Sequence, residues 1–246
     1  MDSSRRYNGS RSKSSSPSAV DDSVRCAINA SLRGQFRLAN VYTCDRPTNK
    51  YAFMGPHCIG KSTLISNVTS MLRKAGFNVQ VIDEHLEKIQ EIVTRESPVE
   101  GDDKYHTVEM TRMLSDREKE VDPAAQIVLI DRYCLDSVMY SATLEDKESG
   151  VHLVPKNLSE RTKHIVGFLK MLQEKGLAPI DCNIVHCKVE GDDDLRRCYD
   201  LIGHRGRDWE LVWPFSQYKE LYENGCVYIN AVINFLTCGS YPIVEV

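Results

Sequence analysis

The sequence predicts an α/β fold in which a five-stranded parallel sheet carries helices on both faces. Three observations lead to this prediction. Short apolar runs alternate with longer segments in which apolar residues recur at helical spacing. A glycine-rich motif joins the first run to the first of these helices. The hydrophobic content of 41% and charged content of 27% are ordinary for a 246-residue chain that buries a core. Ligands of such sheets bind beyond the carboxyl ends of the strands.

Strands are predicted where an apolar run is bounded by turn-forming residues or by a helical segment. The five predicted strands are 50–54, 78–82, 127–130, 182–189 and 227–230. Gly76, Pro123 and Gly176 end or separate the periodic segments, so helices are predicted between the strands. The first helix follows the glycine-rich motif and ends at Gly76, and the others are 85–94, 105–121, 135–144, 159–175, 192–201 and 214–223.

The N-terminal segment has a different composition. Its first twenty residues hold eight serines and four basic residues, without a periodic apolar pattern. Such a segment buries too little surface to offset the entropy lost on ordering. We therefore predict a disordered Ser/Arg-rich extension over residues 1–45, with 25–42 as an appendage, and one domain over 46–246. A transit peptide is the alternative for this basic segment, which is poor in acids.

The overall charge and the cysteines limit the partners. A net charge of −4 argues against nucleic acid, because that binding depends on neutralising phosphates. No apolar run reaches the length that spans a bilayer, so no membrane partner is expected. Nine cysteines without a Cys-x-x-Cys pair favour reduced thiols. We predict a cytoplasmic homodimer, with mitochondrial and nuclear locations as alternatives.

The most informative motif is a phosphate-binding loop, the P-loop. Residues 55–63 match Gly-x-x-x-x-Gly-Lys-Ser/Thr, whose glycines let backbone amides turn inward around an anion. Lys61 can reach the β- and γ-phosphates, and the Ser62 hydroxyl can bind Mg²⁺. The helix that follows adds its N-terminal dipole to the anion site. The motif predicts ATP and Mg²⁺ as cofactors, held by Gly55, Pro56, His57, Cys58, Ile59, Gly60, Lys61, Ser62 and Thr63.

Charged residues also follow the second and third predicted strands. Asp83 or Glu84 can accept the proton of an attacking hydroxyl or hold the Mg²⁺ shell. The alternative is a solvated pair that opens the next helix. Asp131 is placed to orient Mg²⁺ through water, and the planar guanidinium of Arg132 can clamp a phosphate. The alternative for these two is a buried ion pair that only shapes the strand end.

Together these motifs resemble the thymidylate kinase and deoxynucleoside kinase family of P-loop enzymes. Residues 114–117 and 127–133 resemble the thymidylate kinase pattern in order and spacing, and Ser137 and Tyr140 fall at its polar and aromatic positions. The resemblance covers roughly residues 51–231 and implies a P-loop kinase fold with an arginine-bearing lid. It implies that two arginines contact the acceptor monophosphate, Arg117 and Arg132. The acceptor-binding set then comprises Asp83, Glu84, Met113, Arg117, Arg132 and Tyr140.

The P-loop itself is similar to that of herpesviral thymidine kinases, through Gly55-Pro56-His57. In those proteins the acid that matches Glu84 is the base acting on the sugar hydroxyl. Three departures from the thymidylate kinase pattern concern base selectivity and the catalytic base. His57 stands where many thymidylate kinases have an acid in the P-loop. Met113 stands in place of a base-stacking Phe, and His85 stands in place of the Pro that follows the acid.

An arginine-rich segment lies in the C-terminal third of the chain and includes Arg196, Arg197, Arg205 and Arg207. A mobile loop of arginines can close over donor phosphates and neutralise charge in the transition state. The alternative is a basic surface turn. Residues 228–231 resemble the family's last strand, which implies adenine contact at Ala231. The predicted catalytic residues are Lys61, Glu84, Asp131, Arg132, Arg205 and Arg207, and the predicted metal ligands are Ser62 and Asp131.

The predicted activity is ATP- and Mg²⁺-dependent phosphorylation of a deoxynucleoside monophosphate, with dTMP converted to dTDP. A thymidine-type deoxynucleoside kinase is the first alternative, favoured by the P-loop details and by Glu84. The second alternative is a nucleotide-binding module that has lost catalysis and binds a protein partner. The three departures and the N-terminal extension favour it.

Overall fold

The computed structural model of the chain describes residues 16–44, 48–94, 105–136 and 181–205, together with single positions between 167 and 223. Within these residues five strands form one sheet in the order β1-β5-β2-β4-β3. Strands β2 to β5 are parallel to one another, whereas the edge strand β1 runs antiparallel to its neighbour β5. The strands are β1 Arg37–Tyr42, β2 Lys50–Met54, β3 Val79–Ile82, β4 Ile127–Asp131 and β5 Asn183–Val189.

The described helices alternate with the strands as the sequence predicts. They are α1 Pro17–Leu32, α2 Lys61–Lys74, α3 Leu86–Thr94, α4 Tyr105–Asp116 and α5 Asp192–Gly203. A short 3₁₀ turn over Arg117–Glu120 follows α4, where the sequence predicts continuing α-helix to residue 121. The predicted helices at 135–144, 159–175 and 214–223 and the predicted strand 227–230 lie outside, or mostly outside, the described residues.

The α/β class and the five-stranded sheet are confirmed, but the fully parallel arrangement is wrong. The edge strand β1 is antiparallel and comes from the segment that was expected to be disordered. The N-terminal expectation is therefore corrected for residues 17–42, which form α1 and β1. Ser16 caps α1 by accepting a hydrogen bond from Ala19 N, and Pro17 occupies its first turn.

The physical reason for this correction is a hidden apolar face. Four α1 residues at helical spacing, Val20, Val24, Ala27 and Ile28, are buried in the main core. They belong to a cluster on one side of the sheet that includes alternate residues of β2 and β4, such as Tyr51 and Ile127. Polar residues between these positions, Asp21, Asp22, Ser23 and Arg25, lower the mean hydropathy of the segment and hide the pattern when only composition is considered.

This core fixes the edge of the sheet where the candidate site lies. The carboxyl ends of β2, β3 and β4 meet there because the three strands are parallel. The P-loop leaves β2, residues 83–84 leave β3, and Asp131 ends β4. None of the helices in the described part of the chain is long and apolar enough to cross a membrane.

Candidate active site

The P-loop connects β2 to α2 through an unusual backbone. Gly55, Cys58 and Gly60 have φ angles of 135°, 57° and 98°. A side chain at Gly55 would approach the Cys187 carbonyl oxygen to 3.0 Å, so this position is both conformationally and sterically suited to glycine. No side chain caps the start of α2 at Gly60. The first amides of the helix are therefore left for an anion.

Lys61 occupies the centre of this loop. Its ammonium nitrogen Nζ donates to the carbonyl oxygens of Gly55 and Pro56, both at 2.9 Å. The residue is only 6% exposed, and burial together with the nearby Arg132 charge lowers the Lys61 pKa. A lysine that reaches phosphates is expected to face solvent, and this expectation is wrong here because Lys61 is buried. The ammonium braces the loop where an anion would sit.

Ser62 and Asp131 form a direct pair between α2 and β4. The Ser62 hydroxyl donates to Asp131 Oδ2 at 2.5 Å. The other carboxylate oxygen, Asp131 Oδ1, is buried and has no hydrogen-bond partner among the described residues. Hard cations such as Mg²⁺ prefer hydroxyl and carboxylate oxygens, and Mg²⁺ usually keeps water and phosphate oxygens as its other ligands. The two residues therefore fit the predicted Mg²⁺ site.

Arg132 links the end of β4 to the end of β3. Its backbone adopts φ 66°, and its amide donates to Phe53 O at 3.0 Å. The guanidinium donates through Nε to Glu84, and its Nη2 lies 2.9 Å from Nδ1 of His57. The left-handed backbone turns the side chain back across the sheet edge. The predicted acid and arginine are thus brought together beside the P-loop.

The Glu84 carboxylate is held in its ionised form. Burial alone would raise its pKa, but the positive charges of Arg132 and Lys61 outweigh burial and lower the pKa from 4.5 to about 2. The side chain of Glu84 is 11% exposed and that of Arg132 is 6% exposed. An ionised, nearly buried carboxylate at this edge can accept a proton or orient a hydroxyl.

We expect Glu84→Gln to lower the free energy of unfolding, and the deficit to shrink in acid. Because the folded-state pKa is depressed, the carboxylate stabilises the fold fully above about pH 4.5 and loses this effect as the pH falls through about 2. The shift corresponds to about 3 kcal/mol at neutral pH, and roughly half of that should be lost by pH 3. Urea unfolding at pH 7 and pH 3 measures the deficit, with Glu87→Gln as the exposed control. An equal deficit at both pH values would contradict the depressed pKa.

Arg117 reaches the same edge from the end of α4. It is 2% exposed, and its guanidinium donates to the carbonyl oxygens of Asp83, of Asp131 (2.9 Å) and of Arg132 (2.6 Å). Burial lowers the Arg117 pKa, and the nearby carboxylates, Asp131 first, oppose that change. In this structure Arg117 holds two strand ends together. Its expected contact with an acceptor phosphate stays a prediction.

Asp136 was missed by the sequence analysis. It is 2% exposed, and its Oδ2 accepts a hydrogen bond from Tyr133 N at 2.9 Å. Burial raises the Asp136 pKa, and the positive charges of Arg132 and Lys61 oppose that increase. A buried carboxyl group with a raised pKa beside the P-loop lysine is a feature common at functional sites. The available signal was an acid in the first helical turn after a strand that already ends in Asp131.

Arg205, two residues after α5, lies beside the P-loop. Arg205 Nη1 lies 3.7 Å from the Cys58 sulfur, which brings one predicted lid arginine to the P-loop. The Tyr218 hydroxyl donates to the His57 carbonyl oxygen at 2.5 Å and is 2% exposed. These contacts join Arg205 and Tyr218 to the P-loop. Three predicted site residues, Tyr140, Arg207 and Ala231, lie outside the described residues.

Two open spaces border these groups. A cleft of about 700 Å³ is lined by Ser62, Asp83 and Asp131 and by polar residues of α2. A second space of about 270 Å³ lies between α3 and α4 and is lined by Met113 and Arg117. His85 has a backbone φ of 54°, and its ring Nε2 lies 3.1 Å from Glu120 Oε2 rather than beside the Glu84–Arg132 pair. Both spaces are large enough to admit part of a small-molecule ligand.

Comparison with known proteins identifies a family for this chain and no curated relative. No curated protein matches the chain in a sequence comparison. A family model described as an AAA domain matches residues 50–173, which is half of the chain and includes β2, the P-loop, β3 and β4. Nucleotide binding through a P-loop is common to this family, and a particular substrate does not follow from the match. The chain belongs to the AAA-domain family of P-loop NTPase-like proteins.

Proposed function

We propose that the protein is an ATP- and Mg²⁺-dependent kinase that phosphorylates a deoxynucleoside monophosphate, with dTMP as the first acceptor to test. The observation that supports this most strongly is one cluster at the carboxyl ends of β2, β3 and β4. There Lys61, the Ser62–Asp131 pair and the Glu84–Arg132 pair lie against the P-loop. Phosphoryl transfer depends mainly on positioning and charge neutralisation, which such a cluster provides.

The donor side of the proposal rests on the P-loop and its neighbours. The loop amides and Lys61 would bind the β- and γ-phosphates, with the Lys61 ammonium exchanging its carbonyl partners for phosphate oxygens. Ser62 and Asp131 would hold Mg²⁺, which when bound spreads the charge of the β- and γ-phosphates. Arg205, already beside Cys58, would approach the same phosphates from the lid side. Homodimer formation stays a prediction.

The acceptor side rests on Arg132 and Glu84. Arg132 would present its guanidinium to the acceptor phosphate, while Glu84 keeps that guanidinium in place and orients the acceptor. Arg117 would stabilise this arrangement by holding the ends of β3 and β4. The resemblance to thymidylate kinases in residues 114–117 and 127–133 supports the monophosphate as acceptor.

A thymidine-type deoxynucleoside kinase is the second candidate. Two observations favour it: the Arg117 guanidinium already binds three carbonyl oxygens, and Glu84 is ionised beside Arg132. A neutral nucleoside needs fewer free cations than a monophosphate, whose charge is about −1.5 to −2 by analogy with phosphoserine. Glu84 would then accept the proton of the sugar hydroxyl.

One experiment separates these activities. ADP release from Mg·ATP is measured with a panel of acceptors that includes dTMP, thymidine and deoxycytidine. Turnover with dTMP and not with nucleosides supports the leading proposal, and the reverse supports the second candidate. ATP binding without turnover of any acceptor would point instead to a module that has lost catalysis.

Arg117→Ala should lower kcat/KM for dTMP by roughly one to two decades, because hydrogen bonds to a charged group contribute about 1.5–3 kcal/mol each. It should also lower the thermal midpoint, since three strand-end carbonyls lose their donor. Steady-state kinetics with dTMP and with thymidine, beside a thermal melt, measure both effects.

The matched control is Arg112→Ala, because Arg112 lies on α4, just before Arg117, and is an exposed arginine whose ion pair is with Glu109. It should leave both readouts unchanged. An equal loss of kcat/KM for thymidine would assign Arg117 to holding the strand ends alone. If Glu84→Gln stops nucleoside turnover while Arg117→Ala has little effect, the second candidate replaces the first.

A further inference from the structure

Arg37 lies at the ligand-binding edge of the sheet although it precedes the P-loop by about twenty residues. It is the first residue of β1, and β1 runs antiparallel to β5, so Arg37 pairs with Val189 at the carboxyl end of β5. The amide of Glu190 donates to Phe36 O at 3.2 Å and fixes this end of the strand pair. The AAA-domain match begins at residue 50 and does not include β1.

The Arg37 side chain lies directly against the P-loop. A side-chain carbon built on Gly60 would lie 2.7 Å from Arg37 Nε and 3.0 Å from its Cζ. Gly60 is the residue that begins α2, where the helix amides have no side-chain cap. The Arg37 side chain therefore lies against the P-loop backbone at Gly60, in space that a side chain at residue 60 would fill.

This arginine lacks an anionic partner within the described residues. Arg37 has no hydrogen bond or ion pair there, and its Nε is buried without an acceptor. Its Cζ lies 4.9 Å from the centroid of the Phe36 ring, a contact that supplies no acceptor for Nε. The other polar side chains that line this small space belong to serine, glutamine, threonine, asparagine and cysteine residues, and the described lining holds no Asp or Glu. A buried donor without an acceptor is costly unless a ligand satisfies it.

We propose that Arg37 is a nucleotide-binding residue whose guanidinium contacts a phosphate of the nucleotide held by the P-loop. The inference rests on the proposed function insofar as the P-loop binds a nucleotide, but it does not depend on which acceptor is phosphorylated. Arg37 and Arg205 would then approach the loop from β1 and from α5. Segment α1–β1, outside the family match, would contribute directly to the site.

The test is equilibrium binding of Mg·ATP, ADP and adenosine to the full chain and to Arg37→Gln, by titration calorimetry. Because Arg37 contacts phosphate, the variant should bind ATP and ADP roughly ten- to a hundredfold more weakly and adenosine equally well. Arg37→Lys keeps the charge without the planar fork and should recover part of the affinity. Arg33→Ala, an exposed arginine four residues earlier, should bind all three ligands as wild type does.

Each remaining outcome is decisive. If wild type binds ATP and Arg37→Gln binds it equally tightly, this inference is overturned while the proposed function stands. If Arg37→Gln loses ATP and adenosine affinity together and melts at a lower temperature, Arg37 has only a structural role and the inference fails. If wild type itself binds no nucleotide, both the proposed function and the inference fail. Should Arg37→Gln not fold, Arg37→Lys decides: a partial loss of ATP affinity with unchanged adenosine affinity supports the phosphate contact, whereas unchanged ATP affinity, or a loss equal for ATP and adenosine, contradicts it.

Discussion

Lys61→Ala is expected to abolish phosphoryl transfer, lowering kcat by about two to three decades or more. Its ammonium is the cation nearest the loop carbonyls of Gly55 and Pro56, in the position from which it would reach donor phosphates. Removal of one positioned electrostatic donor at a reacting group typically costs about 10²–10³ in rate. Measurement of ADP release at saturating ATP and acceptor gives the effect on kcat.

The fold should survive this change. Two hydrogen bonds are lost, but the desolvation of a buried ammonium is relieved, and these effects oppose each other to within about 2 kcal/mol. Circular dichroism and a thermal melt check this, with Lys74→Ala in the exposed last turn of α2 as the matched control. A folded Lys61→Ala protein with near-normal turnover would show that the loop is only structural.

Deletion of residues 1–45 should prevent stable folding. Three large α1 side chains, Val20, Val24 and Ile28, are at most 7% exposed and belong to the main core. Burial of such a side chain contributes about 1.5–3 kcal/mol, so their loss costs roughly 5–9 kcal/mol. The net stability of a domain is only about 5–15 kcal/mol. The deletion also removes β1, which exposes one edge of β5. Soluble yield and a urea melt measure the effect.

The matched control is deletion of residues 1–15, which leaves every described contact of α1 and β1 in place. This shorter protein should melt within a few degrees of the full chain. A deletion of 1–45 that folds with an unchanged midpoint would restore the earlier view of an independent extension. The single substitution Val24→Ala should lower the stability by a smaller amount than the deletion, because it removes only part of one fully buried side chain.

The candidate site combines acids and bases that influence one another. Lys61 and Arg132 keep Glu84 ionised, while burial raises the pKa of Asp136. The pKa values of these two carboxyl groups are thus shifted in opposite directions, which is a common way to divide acid and base roles. Changes at Arg132 should therefore be followed through the pH dependence of activity as well as through the rate.

The sequence alone determined the parts of this protein in which chemistry and local structure coincide. The P-loop motif predicted the β2–loop–α2 unit, because glycines at φ 135° and 98° are required by the turn itself. The apolar runs located β2 to β5 to within one residue at each end. The sequence placed Ser62 and Asp131 at one edge of the sheet as Mg²⁺ ligands, which stays a prediction, and their direct hydrogen bond was not expected.

Only the tertiary structure decided what the remaining residues do. The apolar face of α1 becomes visible when its partners on β2 and β4 are known, and so composition alone suggested disorder. The sequence predicts that Lys61 and Arg117 bind phosphates, yet in the fold both side chains donate hydrogen bonds to backbone carbonyl oxygens. Arg37 and Asp136 enter the site through an antiparallel edge strand and a helix start. Such contacts join residues far apart in the chain, and they depend on packing and burial, which local sequence patterns do not specify.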